Sequence, residues 1–357
     1  MGELGAARGR RLILVGHGTG KTGLGHLMRL LALGQAWSDA NGHVEALLGA
    51  SPPSVRSRFG AEGFVVTQVP GAMARDACAA LATQLGADPT AVAAIDRPDL
   101  RSADLDALGA AGRRVLVVDD MALLERYAVG IVLNQNVHAE RASYPADNGT
   151  VYLLGPRFVL LRREFRAAVP ERRIPEVGGR LLVTFGGADP TGMTRRTVAA
   201  LAAGAPALRR QIEVRAIVGA AHRDLAVEGA VEGVDDGALR LTVEHDVDDM
   251  VSRMTWADLA VTSGGSTVWE LARTGCPAIV VETAPAEPLL VGGLERIGLF
   301  DRLGPAGELD EAVLRAAIER RLRDRAWRSD MARRGRELVD GQGADRVVSA
   351  LVRLDGR

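Results

Sequence analysis

The feature that most constrains this chain is an alternation repeated along its length, in which short unbroken apolar runs are separated by longer amphipathic stretches. Residues 11–16 (Arg-Leu-Ile-Leu-Val-Gly) read as a strand, 24–37 as a helix, and 43–49 and 63–69 as further strands. A helical stretch over 75–85 is followed by strands at 92–95 and 114–119. Runs that are apolar at every position belong to strands covered on both faces, and the helices between them supply the cover. The pattern breaks at 165–180, which holds Pro170, Pro175 and the pair Gly178-Gly179 and reads as a linker. It then restarts with strands at 180–185, 212–219, 241–244, 259–263 and 278–282 and helices near 194–203, 247–254 and 267–274. The tail, 310–354, is helical and rich in arginine.

A chain of 357 residues exceeds what one core fills. The expected architecture is therefore α/β, with two Rossmann-like domains facing across a cleft and C-terminal helices. Its expected parts are an N-terminal domain over 1–165, a linker over 166–179, a nucleotide-binding domain over 180–330, and a terminal helical segment over 331–357 packing back on the junction. The 44 basic and 45 acidic residues leave a net charge of -1, which gives no electrostatic ground for binding nucleic acid. Cys78 and Cys276 are far apart and suggest neither a disulfide framework nor a metal knuckle. No segment approaches the roughly 18 to 20 apolar residues of a membrane span, so a cytoplasmic protein without membrane contact is expected.

In open α/β sheets, ligands bind in the loops after the strands. The first such loop is Gly16-His-Gly-Thr-Gly-Lys-Thr-Gly-Leu-Gly-His26-Leu-Met-Arg29, where glycines admit close backbone approach and the helix start favours an anion. It is not a Walker A loop, because Val15 stands where that motif needs its first glycine. Gly18-Thr-Gly20-Lys-Thr-Gly23 fits the dinucleotide fingerprint, but no acidic residue closes the second strand. His26 and Arg29, three apart on one helical face, are the candidate catalytic residues, with His26 suited to act as a general base; His17 is its rival. Lys21, the only lysine in the chain, and Gly25 are candidate substrate contacts.

The second loop, Phe185-Gly186-Gly187-Ala188-Asp189-Pro190, permits a tight turn, with Asp189 or Thr191 able to cap the following helix. The third, Ser263-Gly264-Gly265-Ser266-Thr267-Val268-Trp269-Glu270, offers amides and hydroxyls to a diphosphate and Glu270 to a ribose diol. Ser266 or Thr267 as N-cap, with Glu270 as a capping-box carboxylate, is the plain structural account of the same residues.

These pieces, with Val118-Asp119-Asp120, Leu133-Asn134-Gln135-Asn136 and the run Leu154-Gly155-Pro156 to Arg162-Arg163-Glu164-Phe165, resemble a known family. It is the hydrolase family that removes the nucleotide from UDP-2,4-diacetamido-2,4,6-trideoxy-altrose in pseudaminic acid biosynthesis, together with the related spore-coat polysaccharide proteins. That family is related to the glycosyltransferase that makes lipid II and has the GT-B fold. The resemblance implies a diphosphate at Gly264, Gly265, Ser266 and Thr267 and a ribose at Glu270. It also implies that His26 is the base on water attacking the anomeric carbon, and that no metal or cofactor is used.

Two positions depart from the family. Ala286 and Glu287 stand where it has Asn-Gln, and Pro98 stands where it has an aromatic residue. The resemblance thus predicts a metal-independent hydrolase of a nucleotide-linked amino or deoxy sugar, releasing UDP or another nucleotide. A glycosyltransferase using a nucleotide-sugar donor and a non-catalytic nucleotide-sugar-binding protein are the alternatives.

Overall fold

The computed structural model describes residues 7–18, 23–69, 73–141, 144–145, 149–167, 169–219, 227 and 239–354. The chain divides into two compact units, one formed by Met1–Thr19, His26–Arg166 and Gly341–Arg357, the other by Gly20–Gly25 and Ala167–Asp340.

The first unit is built on seven strands: β1 (Arg11–Gly16), β2 (His43–Leu48), β3 (Val65–Gln68), β4 (Val92–Asp96), β5 (Val115–Val118), β6 (Ile131–Asn134) and β7 (Val151–Leu154). Their order is β3-β2-β1-β4-β5-β6-β7, with every neighbouring pair parallel. Helices α1 (Gly25–Asp39), α2 (Pro53–Ala61), α3 (Ala74–Ala87), α4 (Ser102–Asp106) and α5 (Arg163–Arg166) connect and flank the strands. Leu12 to Val15 and Val92 to Ile95 are fully buried. Burial of a Val, Leu or Ile side chain contributes about 1.5–3 kcal/mol, which is why such runs settle at the centre of the sheet. The buried residue that closes β4 is Asp96, a carboxylate at 1% exposure.

The second unit repeats the plan with β8 (Arg180–Thr184), β9 (Glu213–Val218), β10 (Arg240–His245), β11 (Leu259–Ser263), β12 (Ala278–Glu282) and β13 (Asp301–Pro305). The order is β10-β9-β8-β11-β12-β13, again parallel throughout. Its helices are α6 (Met193–Ala202), α7 (Pro206–Gln211), α8 (Met250–Trp256), α9 (Thr267–Thr274), α10 (Glu287–Arg296), α11 (Glu311–Arg323) and α12 (Arg325–Leu338). The strand order reverses between β1 and β4 in one sheet and between β8 and β11 in the other, and these are the points where open sheets of this kind bind ligands. Strands β6, β7 and β13 go beyond the sequence reading of strands. The first two are only four residues long, and β13 is a polar edge strand containing Gly304 and Pro305.

The arginine-rich tail does structural work in both units. Arg328, fully buried in the second, donates to the carbonyls of Pro175 (3.0 Å), Glu176 (3.1 Å) and Arg321 (3.1 Å), strapping the proline-containing segment to its helices. The segment expected over 331–357 is divided, since α12 runs through residue 331 in the second unit. The final helix, α13 (Gly343–Val352), lies in the first. There Gly343 sits so close to the backbone of Phe158 and Val159 that no Cβ would fit, Asp345 pairs with Arg166 at 2.7 Å, and Arg10 donates to the Val352 carbonyl at 2.7 Å. Among the described residues no helix is long and apolar enough to cross a membrane.

Candidate active site

In the first unit the strand ends gather a connected set of side chains. Gly16, at the end of β1, is in register with Asp96 at the end of β4. A Cβ on Gly16 would collide with Leu30, so glycine lets α1 pack close to the sheet. That proximity brings the first turn of α1 to Asp96. His26 Nδ1 lies 2.7 Å from Asp96 Oδ1, and Arg29 donates from Nε to Oδ2 (2.9 Å) and from Nη2 to Oδ1 (3.1 Å). Arg29 Nη1 reaches both oxygens of Asp120, at 2.8 and 2.7 Å. Asp120 also accepts from Asn136 Nδ2 at 2.7 Å, and its carbonyl accepts from His138 Nε2 at 2.7 Å. Asn136 is held in turn by Asn134 Oδ1, and Asn134 donates to the Tyr144 hydroxyl.

Charge makes this set self-consistent. Burial alone would push Asp96 up, but Arg29 and then His26 beside it hold its carboxyl below the usual carboxylate range. Burial works against the Arg29 charge too, and Asp120 and Asp96 more than compensate. An ionised Asp96 can only accept, so the 2.7 Å contact places the hydrogen of neutral His26 on Nδ1. Nε2 then carries a lone pair. Arg29 Nη2, 3.0 Å from Nδ1, makes no bond with it in this tautomer, because both are donors. The His26 side chain keeps 22% exposure against 1% for Asp96, so the orienting carboxylate is sealed while the imidazole remains accessible. A histidine fixed by a buried carboxylate is the arrangement used to draw a proton from a nucleophile.

His17 is placed differently. Its Nδ1 is 3.8 Å from Asp99 Oδ1, beyond hydrogen-bond distance, and burial followed by the nearby Arg97 pushes it down, only partly opposed by Asp99. Asp119 serves its own loop, accepting from the amides of Met121 and Ala122 (both 2.9 Å) and from the Tyr127 hydroxyl (2.5 Å). Lys21 lies outside the described residues.

In the second unit the corresponding strand ends offer backbone. Gly186 has φ +74°, a conformation that favours glycine. Asp189 accepts from the amides of Met193 (2.9 Å) and Thr194 (2.8 Å), so it, and not Thr191, caps the start of α6. Gly264 packs beneath Val291 and Glu287 of α10 with no space for a Cβ. Gly265 and Ser266 accept from Val268 and Trp269 at the start of α9. Ser266 is the N-cap of that helix but makes no capping bond from its side chain, unlike the capping account drawn from sequence. Thr267 opens α9 and Glu270 lies in its first turn. Residues 23–25 cluster with this unit: Leu24 occupies the space a Gly187 side chain would need, and a Cβ on Gly25 would stand 3.2 Å from Ser266 Oγ. Glu287 points its carboxylate to the amides of Thr283 (2.5 Å) and Ala284 (3.3 Å).

Of the expected site residues, the structure connects His26 with Arg29 and groups Gly25, Gly187 and Ser266. Sequence reasoning missed Asp96 as the partner of His26, and Asp120 and Asn136 as the supports of Arg29. The available signal was position, since each of the three sits at or just beyond the end of a strand.

Residues 182–286 match the model of the glycosyltransferase family 28 C-terminal domain. The chain is 24% identical over 208 residues to the spore coat polysaccharide biosynthesis protein SpsG of Bacillus subtilis, covering 58% of this chain and 60% of that protein. It is 26% identical over 157 residues to the uncharacterized protein MJ1062 of Methanocaldococcus jannaschii, covering 42% of this chain and 32% of that one. The chain thus spans about a third to three fifths of the length of these curated relatives. Among solved structures it resembles MurG of Acinetobacter baumannii, with a TM-score of 0.62 at 15% identity over 95% of this chain and 98% of that one. It also resembles CalG4, the calicheamicin glycosyltransferase, with a TM-score of 0.62 at 16% identity over 98% and 99%. Two parallel α/β sheets with these strand orders, and likeness to such structures over nearly the whole chain, give the protein the GT-B fold of glycosyltransferase-like proteins.

Proposed function

We propose that the protein transfers a sugar from a nucleotide-sugar donor to an acceptor hydroxyl or amine, with His26 as general base. The observation that carries this reading is the 2.7 Å contact between His26 Nδ1 and the buried Asp96 carboxylate, which leaves Nε2 free to accept a proton. As Nε2 takes the proton of the acceptor, the acceptor's lone pair forms the new bond at the anomeric carbon. The bond from that carbon to the phosphate oxygen breaks, and its electron pair leaves with the nucleotide. Amides at the start of α9 and the helix dipole favour the charge that develops there. Arg29 bonds Asp96, Asp120 holds Arg29 in turn, and both act as positioning residues that keep the base oriented.

The match to a glycosyltransferase C-terminal domain and the likeness to MurG and CalG4 support transfer over hydrolysis, the reading drawn from sequence, in which water takes the place of the acceptor. The same base serves either nucleophile, so the experiment turns on the acceptor. Purified protein is incubated with a panel of nucleotide sugars, with and without alcohols and amines, in oxygen-18 water. Acceptor-dependent nucleotide release with a glycoside product is expected. Acceptor-independent release with the label on the anomeric carbon would make the protein a hydrolase, and binding without turnover would make it a nucleotide-sugar-binding protein.

A further inference from the structure

His17 has no part in the proton transfer described above, yet the structure sets a second histidine and carboxylate beside the first. His17 directly follows Gly16, the residue in register with Asp96, and Asp99 lies three residues beyond Asp96, so β1 and β4 carry both pairs. The backbone on either side of His17 is pinned to the end of β2: Gly49 donates to the Gly16 carbonyl and Gly18 to the Ala50 carbonyl, both at 2.9 Å. A Cβ on Gly49 would stand 3.2 Å from His17 Cβ and 3.6 Å from Arg97 Nη1, so glycine leaves room for the imidazole. Arg97, its side chain 2% exposed, fixes Asp99 through two bonds, Nε to Oδ1 (3.0 Å) and Nη2 to Oδ2 (2.9 Å).

The two ring nitrogens of His17 have different surroundings. Nδ1 is sealed from solvent and has no hydrogen-bond partner among the described residues, with Asp99 Oδ1 3.8 Å away. Nε2 is not sealed and bonds to no described residue, and the side chain keeps 14% exposure. Burial, and then the Arg97 charge, push His17 below its ordinary value, so the ring is neutral near pH 7 and holds one hydrogen. Beside a carboxylate, which can only accept, that hydrogen is stabilised on Nδ1, and the lone pair is left on the open Nε2. Hydrogen bonds of functional histidines are often long in the free protein and tighten once substrate is bound.

We propose, on the transfer reading of the first unit, that His17 is a specificity-determining residue whose Nε2 accepts a hydrogen bond from a carbohydrate hydroxyl other than the one whose proton His26 removes. A hydrogen bond accepted at Nε2 polarises the ring and strengthens Nδ1 as a donor, which draws Nδ1 and Asp99 together and gives the buried nitrogen its partner. No proton is transferred at His17. The geometry of the two pairs sets this division of labour. Asp96 touches His26 at 2.7 Å and can stabilise an imidazolium there. Asp99 stands 3.8 Å from His17 and is engaged twice by Arg97, whose charge works against an imidazolium at His17. The hydroxyl belongs to the acceptor or to the transferred sugar, and analogues of each distinguish the two.

The first test needs no substrate. In nitrogen NMR of the full chain labelled in its six histidines, the His17 signals are those lost in His17→Gln. They are expected to show a neutral ring at about pH 7.5, with its hydrogen on Nδ1. A hydrogen on Nε2 would overturn the proposal. The second test uses the nucleotide sugar and acceptor that react in the panel described above, with the monodeoxy analogues of each. One analogue is expected to cost wild type about tenfold or more in kcat/KM, because Nε2 is left without its donor. His17→Ala is expected to use that analogue and its parent equally, within about twofold. His17→Gln, whose amide oxygen can take the place of Nε2, is expected to recover part of the discrimination. Where nucleotide sugar binds without turnover, Kd is read in place of kcat/KM. No loss with any analogue in wild type, or discrimination that survived unchanged in His17→Ala, would overturn the role of His17 and leave the transfer reading standing. So would loss of turnover in His17→Ala with turnover retained in His26→Ala, which would make His17 the base. If no nucleotide sugar bound at all, the transfer reading and the inference would fall together.

Discussion

The two units share a strand order around their switch points but place opposite kinds of group there. The first assembles side chains from α1, the end of β4 and the segments after β5 and β6: His26, Arg29, Asp96, Asp120 and Asn136, each hydrogen-bonded to another of the set. The second presents glycines and the uncapped start of α9, with side chains either withdrawn into caps, as Asp189 is, or turned onto the backbone, as Glu287 is. The difference matches two chemical tasks. Moving a proton requires a titratable group in a fixed tautomer, which takes a buried partner of definite charge. Holding a phosphate requires amides that no bulky side chain obstructs.

The sharpest way to break this contrast is to remove the base. His26→Ala is expected to lower turnover by about 10²–10⁴-fold while changing nucleotide affinity by no more than about twofold, as read from steady-state rates and calorimetry. A variant that lost nucleotide affinity and kept turnover would assign the first unit to binding. Asp96→Asn tests the orienting carboxylate in the same assay. An asparagine can offer its amide N–H to Nδ1 and so favour the tautomer with Nε2 protonated, a change that costs about 10⁴-fold in serine proteases. It also has a signature in stability. Asp96 is held below its unfolded value, so its contribution is complete above the ordinary carboxylate pKa and is lost as the pH falls through the depressed one. Wild type should therefore lose stability to Asp96 protonation only on the acid side, and Asp96→Asn should lack that part of the slope in denaturation profiles.

A smaller effect is expected from crowding the backbone site. Gly264→Ala drives a methyl group into Val291 and against Glu287 Cβ. Overpacking of that kind costs about 1–3 kcal/mol, and because the displaced element borders the turn, nucleotide affinity should fall with stability while the turnover of bound donor is retained. A loss of turnover at saturating donor would show that the turn also shapes the reacting geometry.

The two sites were unequally legible in the sequence. The backbone site is local. Ser263-Gly264-Gly265-Ser266-Thr267 between an apolar run and an amphipathic one already describes a strand, a turn and a helix start, and β11 and α9 lie where the pattern placed them. His26 and Arg29 were legible as a helical pair for the same reason. Asp96 was not, because what joins it to them is the parallel register of β1 with β4, which sets Gly16 beside Asp96 across a long stretch of chain. Asn136 and Asp120 are linked by the pairing of β5 with β6, and β6 is too short for its periodicity to stand out. Glu287 was recognised as a departure, but its partner could not be read, since a carboxylate at a helix start can face a ligand or fold back on its own loop. The packing of α10 on Gly264 decides between the two.

The smallest expected effects set one cap against another within the second unit. Asp189 is 6% exposed and satisfies the Met193 and Thr194 amides, which would be left buried without a partner in Asp189→Ala. Loss of such a cap costs about 0.5–2 kcal/mol, with the upper part of that range expected here because two amides depend on one carboxylate. Ser266 is the N-cap residue of α9 and makes no side-chain capping bond, so Ser266→Ala should stay within about 0.5 kcal/mol of wild type in urea denaturation of the full chain. The pair distinguishes a helix start that the protein caps for itself from one whose amides a ligand can take. If Ser266→Ala destabilised the chain as much as Asp189→Ala, the hydroxyl would be capping α9 in solution, and a phosphate would have to displace it to reach the amides at the start of the helix. If only Asp189→Ala destabilised it, those amides would be open, and Ser266→Ala should then show its effect in nucleotide affinity, where the hydroxyl would be one more donor beside them.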